Sequence, residues 1–229
     1  IRADQLRGTT QNDILKEYVA RGTWIFPPEP SLRLIGDTIE YCVKASPRFN
    51  PLSITGHQAS AGATPIQTIA YSFLNAIEYA KEMIRRGYAI DDFAYIFAFG
   101  IHPGGCGKFD FFESIARLRA ARRLWARLMK ERFHAQKPDS MRLRFYAATG
   151  GDWLQKREPL NNIARITVGA MSIALGGAQS MRLPGYDEVY AIPTEEAALT
   201  ALRIEQILAY ETGIGDTVDP LAGSYYVES

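Results

Sequence analysis

The sequence predicts an α/β chain in which parallel strands alternate with crossover helices. Short apolar or β-branched runs alternate with longer stretches of helical period. Proline, glycine and Asn-Asp signals punctuate the boundaries between them. The 229 residues, 47% of them hydrophobic, can bury a substantial core as one large domain or a piece of one.

Leu6 to Gln11 reads as the first strand, and Asn12-Asp13 as the start of a helix running to about Arg21. Ile25 to Pro30 holds three prolines in four positions, which removes amide donors and fixes φ, so a rigid connector is expected there. Ser31 then caps a helix from Leu32 to about Ser46, stopped by Pro47. In Leu52-Ser53-Ile54-Thr55-Gly56 apolar and small hydroxyl residues alternate, so one strand face packs on helices and the other presents only Ser53 and Thr55. Such a face suits a polar bore or a half-solvated strand.

Thr64 to Gly87 follows as a helix with Ile66, Ile69, Ala70, Phe73, Ile77 and Ala80 near one face. An aromatic strand is expected over Phe93 to Phe99, then a long helix over Phe112 to His134. Its stripe is Leu118, Ala121, Leu124, Trp125 and Leu128, with Arg119, Arg123, Arg127 and Lys130 mostly opposite, a flank expected to be solvated in preference to facing phosphate. Met141 to Thr149 reads as a strand, Asn161 to Leu175 as a helix and Gly176 to Met181 as a glycine-led strand. Pro193-Thr194-Glu195-Glu196 opens a last helix with proline and acids in its first turn. The five strands lack an internal repeat and are too few to close an eight-stranded barrel. With Ile1 at the start and Tyr225 to Ser229 ending strand-like, a fragment is expected.

A formal charge of +1 excludes the broad basic field of sequence-independent nucleic-acid binding. No apolar run approaches the ~20 residues that cross a bilayer, and no basic-then-apolar leader opens the chain. Two cysteines argue against a disulfide scaffold or four-cysteine zinc site and fit a reducing cytoplasmic setting. Gly104-Gly105-Cys106-Gly107-Lys108 is not a P-loop: the earlier glycine is replaced by His102 and the following Ser/Thr by Phe109. His57, His102 and His134 have no metal-ligand spacing, so no metal site is expected. Cys106 with His102 lacks an orienting third group for nucleophilic chemistry.

Three blocks carry a specific signal: Gly8-Thr9-Thr10-Gln11-Asn12-Asp13-Ile14-Leu15-Lys16-Glu17, Arg21 through Ser31, and Arg119-Ala120-Ala121-Arg122-Arg123-Leu124-Trp125. Pro159 to Ile163, Gly176 to Ser180, Asp187-Glu188 and Asp219 to Tyr225 follow in order. Together they resemble the methylmalonyl-CoA mutase family over essentially the whole chain. The resemblance implies a (β/α)8 TIM barrel of which this chain holds the later βα units, about 1–190, followed by a helix and tail over 191–229. The cobalamin domain's Asp-x-His-x-x-Gly signature is absent, so that domain is expected outside this chain or on a small subunit. The implied activity is adenosylcobalamin-dependent radical rearrangement of a methylmalonyl-CoA-like acyl-CoA, an isomerase reaction. The CoA arm would thread the barrel, giving Ser53 and Thr55 a reason, and the assembly would be a homo- or hetero-oligomer.

Carried over position by position, the resemblance gives Thr9, Thr10 and Gln11 to an acyl-CoA-contacting turn. It gives Arg21 to the substrate's free carboxylate, Arg48 to CoA, and Ser180 to the substrate. Glu188 falls to the adenosyl ribose. Arg21 favours a dicarboxylic thioester, since relatives acting on uncharged acyl groups are similar but have glutamine there. The family's Tyr-His before its Ala-Gly is here Gly56-His57-Gln58-Ala59-Ser60-Ala61-Gly62, one residue shorter. Either His57 or Gln58 therefore occupies the thioester-facing catalytic position. Where the family has His-x-Gln toward the cofactor, this chain has Tyr146-Ala147-Ala148, and Asp152 is an unexpected acid. These departures imply a different acyl-CoA or, alternatively, a non-catalytic mutase-like partner subunit with an assembly role.

Overall fold

The computed structural model describes residues 1–103 and 109–229. Gly104 to Lys108, including Cys106, lie outside the described residues. The elements are β1 (Gly8–Thr9), α1 (Ile14–Lys16), α2 (Pro28–Ala45), β2 (Phe49–Asn50), β3 (Ser53–Thr55), α3 (Pro65–Arg85), β4 (Ala98–Ile101), α4 (Phe111–Arg132), α5 (Pro138–Met141), β5 (Phe145–Ala148), α6 (Asn161–Leu175), β6 (Ser180–Arg182), α7 (Glu195–Glu211) and α8 (Tyr225–Glu228). The strand pairs β1–β2, β3–β4 and β5–β6 are all parallel, as the alternation of elements predicts. The chain forms two compact units: Ile1–Ala61, Ile66–Gly100 and Ala121–Arg144 make the first, and Gly62–Pro65, Ile101–Ala120 and Phe145–Ser229 the second.

In the first unit β3 pairs with β4 in the register Ser53–Ala98, Ile54–Phe99 and Thr55–Gly100. Ile54 and Phe99 share one face, and Phe99 packs edge-on against Phe73 of α3 and Trp125 of α4, with ring centroids 5.7 and 4.9 Å away. Trp125 also meets Phe73 at 5.4 Å and Phe97 at 6.5 Å. Because side chains alternate across a strand, Ser53, Thr55, Ala98 and Gly100 share the opposite face. Ser53 and Thr55 are both buried, so the half-solvated alternative for this strand does not hold.

Several local expectations are corrected. The first strand shrinks to Gly8–Thr9. Asp13 makes no side-chain cap bond, and α1 widens into a π-helical turn, Glu17–Arg21. Gly22, at φ 61°, ends that turn in the left-handed region where a Cβ would be strained. α2 starts at Pro28, not after Ser31, because first-turn amides have no intrahelical acceptor and proline loses nothing there. Ser31 is instead buried, bonded to the Tyr18 hydroxyl at 2.8 Å.

The aromatic strand gives way to short 3₁₀ turns, Ile90–Asp92 and Ala94–Ile96, with the strand itself at Ala98–Ile101. Turn geometry lets Phe93, Ile96 and Phe97 all enter the core, which strand alternation forbids. On α3 the inward face holds Ile69, Phe73, Ala76, Ile77, Ala80 and Met83, whereas Ile66 and Ala70 are exposed. On α4 Leu124 is likewise exposed, and Met129 takes its place inside.

In the second unit β5 and β6 pair Tyr146–Ser180, Ala147–Met181 and Ala148–Arg182. Both strands are shorter than their sequence spans: α5 occupies Pro138–Met141, and Gly177 (φ 72°) follows α6 before β6 begins at Ser180. Met181 packs into an apolar cluster of Leu154, Ile166, Ala170, Ile204 and Leu208. Thr194 caps α7 by accepting from the Ala197 amide at 3.3 Å. The C-terminal segment is helical, not strand-like: Arg119 grips Glu228 and Asp219 and so leaves the solvated flank, whereas Arg123, Arg127 and Lys130 are exposed.

Asn162 is fully buried within this unit. Its Nδ2 donates to the carbonyls of Gln155 and Tyr186, both at 2.9 Å, and its Oδ1 accepts from the Gln155 amide at 3.0 Å and Arg165 at 2.9 Å. Asn162→Ala leaves buried backbone groups unpaired and is expected to cost about 2–4 kcal/mol by denaturant unfolding. A loss below about 0.5 kcal/mol would show that water replaces those bonds.

Candidate functional site

The predicted site residues fall into two groups, one in each unit. In the first unit they collect at the ends of β1 and β3. The Thr10 hydroxyl donates to the Pro51 carbonyl at 2.8 Å, and the Asn50 amide donates to Thr9 Oγ1 at 2.9 Å. Thr9, Thr10 and Gln11 are themselves exposed.

At the C-terminal end of β3, Thr55 Oγ1 is 2.7 Å from His57 Nδ1. His57 opens a 3₁₀ turn, His57–Ala59, that packs against the π-helical turn bearing Arg21. Within that turn Gln58 is 1% exposed, yet neither amide atom has a hydrogen-bond partner among the described residues. Ser53 Oγ is in the same condition on the β3 face. An unmet buried polar group costs about 1–3 kcal/mol, so both mark places where a further polar group fits.

The Arg21 guanidinium is about half exposed, at 48%, and it meets Glu17 Oε1 at a long 3.4 Å. Glu17 is also bound by the buried Lys16. Burial pushes the Glu17 carboxyl up, but the Lys16 hydrogen bond and charge outweigh it and hold the group below its ordinary range. Arg48 is exposed at the N-terminal end of β2, at the opposite end of the β2–β3 run from His57.

Sequence reasoning missed Asp13, assigned there to a helix start. It is 2% exposed, and its carboxylate accepts from the Tyr79 hydroxyl at 2.6 Å, the Thr55 amide at 2.9 Å and Asn75 at 3.4 Å. No local pattern distinguishes this role from a cap, because two of its partners lie on α3.

In the second unit Tyr146, Ala148, Ser180 and Arg182 share the β5–β6 face opposite Met181. Glu188 is half-buried beside Gly151, where a Cβ would stand 3.2 Å from Glu188 Cγ and Oε1. Burial pushes the Glu188 carboxyl above its ordinary range, opposed by the Arg182 charge. Burial likewise pushes His102 down to about 4, so it is neutral near pH 7. Among the described residues no group of three or more His, Cys, Asp or Glu could hold a metal ion, and no helix is long and apolar enough to cross a membrane.

Comparison with known proteins adds independent information. A family model described as methylmalonyl-CoA mutase matches residues 1–229. The 2-hydroxyisobutanoyl-CoA mutase large subunit of Aquincola tertiaricarbonis is 47% identical over 227 residues, covering 99% of this chain and 40% of that protein. The methylmalonyl-CoA mutase of Rhizobium meliloti (strain 1021) is 46% identical over 234 residues, covering 100% of this chain and 32% of that protein. The Escherichia coli (strain K12) methylmalonyl-CoA mutase is 44% identical over 232 residues, again covering 100% and 32%. The chain thus spans between about a third and two fifths of the length of these relatives.

Proposed function

The chain belongs to the methylmalonyl-CoA mutase family, and on that premise we propose that it forms the acyl-CoA-binding part of an adenosylcobalamin-dependent mutase. Such mutases are isomerases. In this reading residues 1–190 supply the later βα units of a (β/α)8 barrel and 191–229 the helix and tail after it. Cobalt is supplied by a cobalamin domain or small subunit outside the chain, within a homo- or hetero-oligomer.

The observation that carries the reading is the β3–β4 face. Ser53, Thr55, Ala98 and Gly100 project only small groups, the surface a narrow pantetheine arm needs and an aliphatic-filled barrel lacks. Exposed Arg48 at one end of that run suits the CoA phosphates, while Thr9, Thr10, Gln11, Arg21 and the His57–Ala59 turn gather toward the acyl end. Gln58 is assigned to the thioester: its buried amide, unpartnered among the described residues, can donate to the carbonyl oxygen, whereas His57 Nδ1 is already engaged by Thr55. The carboxylate of a dicarboxylic acyl group goes to Arg21, whose planar fork donates two parallel hydrogen bonds.

The β5–β6 face fits an adenosyl group. The Glu188 carboxylate, brought close by the bare Gly151 backbone, offers acceptors for a pair of ribose hydroxyls, and Ala148 leaves room above the strand ends. When bound, the cofactor supplies a homolysable cobalt–carbon bond. The chain's own residues bind and orient the thioester, hold the carboxylate and keep water from the reacting carbons.

The deciding experiment is turnover by the full-length protein with adenosylcobalamin and its cobalamin partner on methylmalonyl-, ethylmalonyl-, isobutyryl- and 2-hydroxyisobutyryl-CoA. Isomerisation of a carboxylated member supports the reading; inertness toward all four assigns the chain to assembly instead. Gln58→Ala is expected to lower kcat/KM about 100-fold, as loss of a hydrogen-bond donor to a developing oxyanion does. A larger loss in His57→Ala than in Gln58→Ala would reverse the assignment.

A further inference from the structure

We propose that Asp13 is a positioning residue whose carboxylate fastens the segment carrying Thr9, Thr10, Gln11 and Arg21 to the end of β3, where Thr55 holds His57, and that acyl-CoA binding depends on this fastening. The inference rests on the assignment of that end of β3 to the acyl group. Three donors from two separate elements converge on one buried carboxylate: Tyr79 Oη at 2.6 Å and Asn75 Nδ2 at 3.4 Å from α3, and the Thr55 amide at 2.9 Å from β3. The bond to Thr55 fixes the residue whose hydroxyl meets His57 Nδ1. Tyr79 is a second tie, because its hydroxyl accepts the Leu15 amide at 3.0 Å while donating to Asp13. Four residues are thereby locked, two just after the polar turn and two at the end of β3: Asp13 itself, Leu15, Thr55 and, through Thr55, His57.

The fastening is sensitive to protonation. Burial pushes the Asp13 carboxyl up to about 6, against the Tyr79 and Thr55 hydrogen bonds and the Lys16 charge, which pull it down. The groups facing it are Lys16 on its own helical turn, itself bonded to Glu17, Tyr79 and Asn75 on α3, and the Thr55 amide on β3, with His57 one bond beyond. Ionised, the carboxylate accepts from all three donors. Protonated, it gives one oxygen to its own hydrogen, and a donor loses its acceptor. Acyl-CoA binding should therefore weaken as pH falls through about 6. Global stability runs the other way: because the folded pKa is raised, the native state holds the extra proton, and stability falls as pH rises between the unfolded value near 4 and about 6. A loss of binding on acidification thus cannot come from Asp13 unfolding the protein.

The test uses the full-length holoenzyme with methylmalonyl-CoA and isobutyryl-CoA as probes, measuring equilibrium binding and kcat/KM across the pH range around 6. The wild type is expected to show an acid limb near pH 6 in binding and in KM, with kcat moving less. Asp13→Asn should raise KM about 10-fold at neutral pH and abolish the limb. Tyr79→Phe removes one donor to the ionised form, so its limb should move to higher pH, and this variant decides the matter if Asp13→Asn does not fold. A limb that persists in Asp13→Asn, or stays unmoved in Tyr79→Phe, overturns the proposal. Failure of the wild type to bind either probe would instead be seen before any variant is made, and it would overturn the acyl-CoA assignment together with this inference.

Discussion

Trp125→Ala is expected to destabilise the first unit by about 3–5 kcal/mol. The indole is 1% exposed and is the largest fully buried side chain among the described residues. It is shared by three phenylalanines: Phe73 from α3, Phe97 before β4 and Phe99 within β4. Alanine would leave an apolar cavity that three rigid rings cannot collapse to fill, and would lose the aromatic pair energies as well. Phe99 sits back to back with the β3–β4 face that bears Ser53 and Thr55, so loosening this cluster should also loosen that face. The measurement is the denaturant midpoint of the full-length protein beside Trp125→Phe, which should lose clearly less, and the exposed Arg123→Ala, which should stay within about 0.5 kcal/mol. A Trp125→Ala loss under about 1 kcal/mol would mean the cluster does not carry this unit.

Arg21→Gln should lower kcat/KM for methylmalonyl-CoA by roughly 30- to 1,000-fold, corresponding to about 2–4 kcal/mol of lost charge-assisted hydrogen bonding. Isobutyryl-CoA, which has no carboxylate to grip, should change only a few-fold. Glu17 holds the guanidinium at 3.4 Å, a contact a substrate carboxylate can displace, and Glu17 keeps Lys16 as its own partner afterwards. The loss should appear mainly in KM, because the carboxylate is bound alike in ground and transition states. Arg21→Lys should recover part of it, since charge returns without the planar fork. Equal losses on both substrates would remove Arg21 from carboxylate recognition and leave it as a helix-end charge paired with Glu17.

Much of the architecture was legible because periodicity records which faces are buried. The spans of α3, α4 and α6 and the separation of Ile54 from Ser53 and Thr55 on opposite faces of β3 follow from it directly. The errors have one cause. Asp13 looked like a cap, Phe93 to Phe97 like a strand, Arg119 like a solvated charge and Tyr225 to Ser229 like an edge. Each was decided by partners far along the chain: Tyr79 and Thr55 for Asp13, Trp125 for Phe97, and Asp219 and Glu228 for Arg119. Local spacing cannot report a partner that folding brings from elsewhere.

The site divides along the same line. The sequence alone determined the residue types, their order and hence the family: two hydroxyls and an amide in Thr9-Thr10-Gln11, an arginine ten positions on, and small hydroxyls on alternate positions of one strand. Only the tertiary structure decided that the Arg21 turn packs on the His57 turn, that His57 is held by Thr55 while the Gln58 amide is buried with no partner among the described residues, and that Asp13 ties these pieces together. Side-chain chemistry is written residue by residue, but burial and the matching of donors to acceptors belong to surfaces that exist only once the chain has closed on itself.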